Sequence, residues 1–224
     1  MFIDTAILVE PRLHISLEAV INNAIDNLDN MTKIHIFHGK LNKQFLETTF
    51  NTHIQNGKII LTNMNILNFT RVDYSNMLVT LDFWNKISGE NLLIFQTDSC
   101  ICCHVNNFNL SAYNDFGYVG APSKKTYPIP WQNGGFSLRK KSLMIQAVKD
   151  RKLYDDIWPE DRYFSIIKQS ITKPATYELA NKFSVEQFYY SHPFGIHKAW
   201  KYLSPVYWKE LKKNRPIINN VFSN

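Results

Sequence analysis

Leu92-Leu93-Ile94-Phe95-Gln96-Thr97-Asp98-Ser99 is the stretch that decides the fold. Leu92 to Phe95 is an unbroken apolar run, the pattern of a strand covered on both faces. The run then meets a carboxylate. Open α/β sheets bind ligands at the carboxyl ends of their strands, so Asp98 stands where a ligand would arrive. An aspartate there can hold Mg²⁺ or Mn²⁺, cations that accept oxygen ligands and bridge to phosphates. It can equally cap the turn after the strand.

Upstream, the chain alternates strands with helices. Thr5 to Val9 reads as a strand closed by Pro11. Ser16 can cap a helix whose apolar stripe is Leu17, Val20, Ile21, Ala24, Ile25 and Leu28. Lys33 to Phe37 is a second strand, Leu41 to Phe50 a helix, and Lys58 to Leu61 a third strand after the Asn56-Gly57 turn. Asp73 can cap a helix bearing Tyr74, Met77, Leu78, Leu81 and Trp84, broken at Ser88-Gly89. This alternation predicts an α/β, Rossmann-type domain with a mixed, mostly parallel sheet flanked by helices.

Downstream the texture changes. Asn106 to Pro130 is loop-rich, helical patches return at Lys141 to Val148 and Glu160 to Ile167, and Pro193 to Trp208 is aromatic and basic. No repeat and no linker is visible, so 1–224 reads as one domain: a nucleotide-type half over about 1–105 and an acceptor-side half over about 106–224.

Composition narrows the function classes. Of 224 residues, 45% are hydrophobic and 20% charged, which excludes a disordered chain. No run of 18 apolar residues is present, so no membrane span is expected, and the N-terminus lacks a leader pattern, pointing to the cytoplasm. The net charge of +6 is spread over Lys124-Lys125, Arg139-Lys140-Lys141, Lys149 to Lys152 and Lys209 to Arg215. A diffuse positive surface suits small phosphates or an anionic polymer, or is ordinary solvated charge. No nucleic-acid motif accompanies it, so nucleic acid is not expected as a partner.

Four further stretches carry chemistry. In Trp158-Pro159-Glu160-Asp161, two carboxylates after a proline suit the first turn of a helix. One of them can also serve as a general base, its pKa raised by apolar neighbours. In Gln132-Asn133-Gly134-Gly135-Phe136-Ser137, paired glycines allow close backbone approach to a ligand or simply turn the chain; their spacing fits neither a dinucleotide fingerprint nor a P-loop. His192 to Trp200 gathers His192, Gly195, His197, Lys198 and Trp200, where a histidine can complete a metal shell and a lysine can neutralise a diphosphate. Cys100, Cys102 and Cys103, an odd number in one cluster, are not a disulfide framework and read as buried, reduced thiols; Cys100, Cys102 and His104 share a strand face without an evident fourth metal ligand.

In this order the blocks resemble a small family of GT-A-fold glycosyltransferases known from algal and giant viruses, bacteria and fungi. The matching pieces are Leu92 to Ser99, Tyr118-Val119-Gly120-Ala121-Pro122, Asn133 to Arg139, Glu160-Asp161 and Pro193 to Lys198, with Asp73-Tyr74 and Phe83-Trp84. The likeness runs from about Ile7 to about Trp200. It implies a GT-A-like domain and a metal-dependent transferase that moves a sugar from a nucleotide-diphosphate sugar, a UDP-sugar, to a glycan or protein hydroxyl, with Mn²⁺ or Mg²⁺ as cofactor. A viral source would place that glycosylation in the host cytoplasm. Asp98 takes the metal position of the DxD motif, and Gln96 replaces its first acidic residue. His197 is the implied second ligand. His192 is the alternative, because His192-x-x-Gly195-x-x-Lys198-x-Trp200 has the spacing of glycogenin-like transferases, in which the first histidine binds Mn²⁺ and the glycine and lysine meet the diphosphate.

The same resemblance makes Glu160 and Asp161 the catalytic acids, Asp161 being the base of an inverting reaction or the cation stabiliser of a retaining one. Glu10, Arg12, Tyr74, Gln96, Thr97, Gly134, Gly135, Gly195 and Lys198 would form the donor site. Trp131, Trp158 and Trp200 offer flat faces to acceptor sugars, or pack in the core. Two rivals follow: a nucleotidyltransferase, which would usually need two or three clustered carboxylates, and a sugar-binding module without catalysis.

Overall fold

Strands β1 (Thr5–Glu10), β2 (Lys33–His38), β3 (Ile59–Asn63) and β4 (Asn91–Phe95) pair in parallel, in the order β3-β2-β1-β4. The computed structural model describes residues 2–123 and 131–222; Lys124-Lys125, Pro128 and Pro130 lie outside them. β7 (Gln132–Lys140) joins β4 antiparallel, and β6 (Tyr118–Pro122) joins β7 antiparallel, completing a six-stranded sheet. The result is a mixed α/β fold with a mostly parallel sheet flanked by helices, as the sequence predicts.

β1 is buried along its whole length, and its side chains alternate between two cores. Ala6 and Leu8 point into one, with Leu17, Val20, Ile21 and Ala24 of the helix Leu17–Asn27. Ile7 and Val9 point into the other, with Leu78, Phe83, Trp84 and Met144 from helices Arg71–Leu78, Leu81–Asn85 and Lys141–Lys149. Each buried Leu, Ile or Phe contributes about 1.5–3 kcal/mol of transfer free energy, so this double burial is what holds the strand ends in place.

A second, small sheet hangs from the carboxyl edge of the first. It consists of β5 (Ser99–Ile101), β9 (Gly195–His197) and β8 (Ser184–Val185), in the order β5-β9-β8.

Local details depart from expectation. Thr70, not Asp73, caps the helix Arg71–Leu78, and Asp73 closes a capping box from the third position. Ser16 sits at the start of its helix without a side-chain capping bond. The patch read as a helix over Glu160 to Ile167 is one α turn, Glu160–Arg162, followed by a π turn, Tyr163–Ile167. The paired glycines lie inside strand β7, in the stretch 134–136 that bulges out of the pairing with β6, where Gly120 opposes Ser137 and Ala121 opposes Asn133. Among the described residues no helix is long and apolar enough to cross a membrane.

Candidate active site

The register of the small sheet puts three distant residues on one edge. Ser99 opposes His197 across the antiparallel β5-β9 pair, so Asp98 emerges beside the imidazole. Val185 opposes Ile196 in the parallel β8-β9 pair, so Glu186 emerges on its other side. Asp98 Oδ1 is 3.1 Å from His197 Nε2, and Glu186 Oε1 is 3.2 Å from His197 Nδ1. Gln96 Oε1 lies 3.3 Å from the same Nε2. Ser99 Oγ pins the preceding turn, accepting from Gln96 N and donating to Gln96 O. Lys198 holds a left-handed backbone conformation (φ 49°); its N–H donates to Asp98 O at 2.9 Å, and its ammonium lies 3.0 Å from Asp98 Oδ2. A lysine in that conformation is strained, and such strain persists where surrounding contacts fix it.

Charges at this end reinforce one another. Burial raises the Asp98 pKa, but His197 and Lys198 outweigh it and hold the carboxyl well below the usual range. Burial lowers the His197 pKa, but Asp98 and Glu186 outweigh it and raise it above the ordinary imidazole value. Asp98 Oδ1 is buried and has no hydrogen-bond partner, despite its closeness to the imidazole. An orphaned carboxylate oxygen facing an imidazole nitrogen is a donor set that suits a divalent cation. Among the described residues no group of three or more His, Cys, Asp or Glu side chains could hold a metal. With two protein donors, the pair could supply at most part of a cation's shell, phosphate oxygens and water supplying the rest.

The opposite end is built on β7 and the Glu160 turn. Arg139, read from sequence within a surface basic group, is fully buried: its side-chain exposure is 0%. Its guanidinium bonds Glu160 Oε1 at 3.0 Å and, through Nε, Ser137 Oγ at 3.0 Å. Beside this pair, Asp161 accepts from Trp131 Nε1 at 2.9 Å, from Gly134 N at 3.2 Å and from Arg162 N at 2.7 Å. Burial, then the charge of Glu160, pushes the Asp161 carboxyl above the ordinary carboxylate range. Gly134 and Gly135 are required by packing. A Cβ on Gly134 would lie 2.5 Å from Glu160 Oε1, and one on Gly135 would lie 2.2 Å from His197 Nε2. Gly135 thus brings the two ends together.

Between them opens a cleft of about 880 Å³, the size range of small-molecule sites. Glu10, Arg12, Tyr74, Gln96, Thr97, Trp131 and Trp158 also line it. Glu10 and Arg12 form a bidentate pair at 2.7 Å for each bond, and Thr97 Oγ1 reaches Glu10 Oε2 at 3.4 Å. Tyr74 adds a buried hydroxyl without a hydrogen-bond partner.

Three expected site residues are placed elsewhere. His192 is exposed, bonded to Ser191 Oγ at 2.8 Å, and does not line the cleft; two residues of chain and the turn into β9 separate it from the edge that Gly195 to His197 defines. Gly195 faces the Phe136 ring, which a Cβ would meet at 2.2 Å, so its smallness serves the core. Trp200 packs on Phe222, ring centroids 4.5 Å apart, and on Trp208. Trp131 lines the cleft, but its indole N–H is committed to Asp161. Glu186, which carries no sequence signal, joins the site, as does Arg139, which in the sequence ends the Asn133 to Arg139 block and belongs to a basic group, without a site role. Cys100 and Cys102 are buried free thiols in the core, and Cys103 is half-buried.

The chain is similar in structure to the apo form of the glycosyltransferase GlyE of Streptococcus pneumoniae TIGR4, with 11% identity and a TM-score of 0.57, covering 100% of this chain and 64% of that one. It thus spans less than two thirds of the length of GlyE. It is also similar to the galactosyltransferase LgtC in complex with donor and acceptor sugar analogues, with 11% identity and a TM-score of 0.55 over 97% of this chain and 95% of that one. A third is the mannosyltransferase PcManGT of Pyrobaculum calidifontis in complex with GDP-Man and Mn²⁺, with 10% identity and a TM-score of 0.56 over 79% and 55%. At these identities the likeness is one of fold, the GT-A glycosyltransferase fold. No curated protein sequence matches the chain. Residues 56–197 match a family described as "Protein of unknown function (DUF5672)", and with that match spanning more than half of its length, the chain belongs to this family.

Proposed function

We propose that this protein is a glycosyltransferase that takes a nucleotide-diphosphate sugar, a UDP-sugar, and moves the sugar to a hydroxyl of a glycan or protein acceptor. The observation that carries the proposal is the buried, unpartnered Asp98 Oδ1 facing His197 Nε2 at 3.1 Å, with the Lys198 ammonium beside it, in a cleft whose far wall holds Asp161. Asp98 and His197 would hold Mn²⁺ or Mg²⁺, with Gln96 as a neutral oxygen neighbour. The cation, when bound, supplies positive charge against the diphosphate that departs.

The chain's own groups account for the rest. Lys198 places a second positive charge at the leaving group. Glu10 and Arg12, next to Thr97 at the β1 edge, face the nucleoside end of the cleft. Asp161, held by Trp131 and Gly134, is oriented to accept the acceptor hydroxyl proton, and its raised pKa brings it nearer to the proton affinity a base needs at neutral pH. If the sugar configuration is retained, the same carboxylate supports the positive charge that develops on the sugar. Glu160 stays bound to Arg139 and contributes charge.

Incubation of the purified protein with Mn²⁺ and a panel of sugar nucleotides tests the proposal. Release of nucleoside diphosphate is expected from one donor, and Asp98→Ala should lower that release by about 100-fold or more. Release of inorganic pyrophosphate would mark a nucleotidyltransferase instead, and donor binding without any release would mark a sugar-binding module.

A further inference from the structure

Glu186 follows the two-residue strand β8 and is 3% exposed, as is the imidazole it touches. A buried carboxylate is costly unless it is bonded, and its described partner is His197 Nδ1 at 3.2 Å. His197 in turn has its other nitrogen among oxygens that only accept or can accept: Asp98 Oδ1 at 3.1 Å and Gln96 Oε1 at 3.3 Å. A neutral imidazole carries one N–H and one lone pair. Placing the N–H at Nδ1, toward Glu186, leaves the lone pair at Nε2, toward Asp98 and the cleft.

The geometry points to Glu186 as a positioning residue: it fixes the Nδ1–H tautomer and the ring plane of His197, so that Nε2 is presented as a ready cation ligand. This rests on the reading of His197 as a cation ligand in the proposed function. A carboxylate or carbonyl behind a ligating histidine is the general means of setting its tautomer and basicity, and losing such a partner costs about 10–100-fold in metal affinity. The β8-β9 register supplies the means here, because Glu186 directly follows Val185, whose pairing partner Ile196 directly precedes His197. Gly135 removes the remaining freedom, since its missing Cβ leaves room for the imidazole in that one place.

Two measurements on the whole chain test this. The first reads nitrogen chemical shifts and proton couplings of His197 by NMR in protein with saturating diamagnetic Mg²⁺, at a pH where the ring is neutral, since without a cation Nε2 faces two acceptors and either tautomer is bonded to a carboxylate. The Nδ1–H tautomer is expected in wild type and in Glu186→Gln, whose amide oxygen still accepts, and a mixture with Nε2–H is expected in Glu186→Leu. The second titrates Mn²⁺ alone, read by the electron-spin signal of the free ion. Glu186→Leu should bind about 10–100-fold more weakly than wild type and Glu186→Gln only a few-fold more weakly. An Nε2–H tautomer in wild type, or unchanged tautomer and affinity in Glu186→Leu, overturns the inference. Failure of wild type to bind Mn²⁺ while the tautomer is as expected overturns the cation reading and leaves the positioning contact standing. Glu186→Gln is nearly isosteric, so a destabilised leucine variant does not remove the test: Gln with the tautomer scrambled would also overturn the inference.

Discussion

Asp98, half-buried, and Asp161, buried, stand at opposite ends of one cleft, and their proton affinities move in opposite directions. Asp98 faces an imidazole and an ammonium, and the opposite charges more than cancel the cost of burial. Asp161 faces another carboxylate, Glu160, and its hydrogen bonds come from the neutral N–H groups of Trp131, Gly134 and Arg162; the nearby Arg139 charge is too little to offset burial, so burial prevails. One residue type is therefore held ionised at one end and keeps its proton to higher pH at the other, through different neighbours and deeper burial of Asp161. Such a separation of acid strengths is how a site assigns different roles to similar groups.

The sharpest way to break the contrast is to remove Arg139, which leaves Glu160 buried and uncompensated. Arg139→Met should cost about 3–5 kcal/mol in urea unfolding. The double change Arg139→Met with Glu160→Gln should recover most of that loss; a single variant losing less than about 1 kcal/mol would show that the pair is not holding this end together. Next is Gly135→Ala. Its Cβ would sit 2.2 Å from His197 Nε2, so the imidazole must move. Nucleotide release should fall on the order of 100-fold, the usual penalty for a displacement of about 1 Å at a reacting centre, while far-UV circular dichroism stays native. Retained release would mean that His197 has slack that the packing does not suggest.

A pH series sharpens the Asp161 side. Its folded pKa is raised, so the folded chain keeps this proton to a higher pH than the unfolded chain, whose aspartates titrate at about 3.9. Its contribution to stability is therefore complete below about pH 4 and is lost as pH rises through the folded pKa. Relative to wild type, Asp161→Asn should gain stability toward alkaline pH, and the two melting curves should converge toward acid. Turnover should move the other way in wild type, rising with pH as Asp161 loses its proton. A difference between wild type and variant that does not change with pH would contradict the raised value. The smallest expected effect is Trp131→Phe, which removes one N–H donor at a cost of about 1 kcal/mol. That bond favours the ionised carboxylate, so its loss should shift the acidic limb of the activity profile to higher pH.

The two halves of the chain were not equally legible. The β1 and β4 runs are long enough for their burial to show in the residue pattern, and the acidic end of β4 gives Asp98 its place on general grounds of sheet geometry. β8 and β9 are two and three residues long, shorter than any periodic signal, so the register that brings Glu186 to His197 exists only in the folded chain. Arg139 looks like a solvated member of a basic triplet because its partner, Glu160, lies 21 residues away. Gly195 and Trp200 have the spacing of ligand-binding residues, yet Gly195 answers to core packing against Phe136, and Trp200, exposed, packs on Phe222 away from the cleft. Composition can name the chemistry a segment could perform; which side of a sheet edge it faces is set by long-range pairing.

The most direct test of the central claim is anomalous scattering at the manganese edge from crystals grown with Mn²⁺ and UDP. A single peak about 2.0–2.3 Å from both Asp98 Oδ1 and His197 Nε2, with diphosphate oxygens completing its shell, is the predicted result. A peak seated elsewhere, or a diphosphate bound in the cleft with no ion between it and Asp98, would contradict the account.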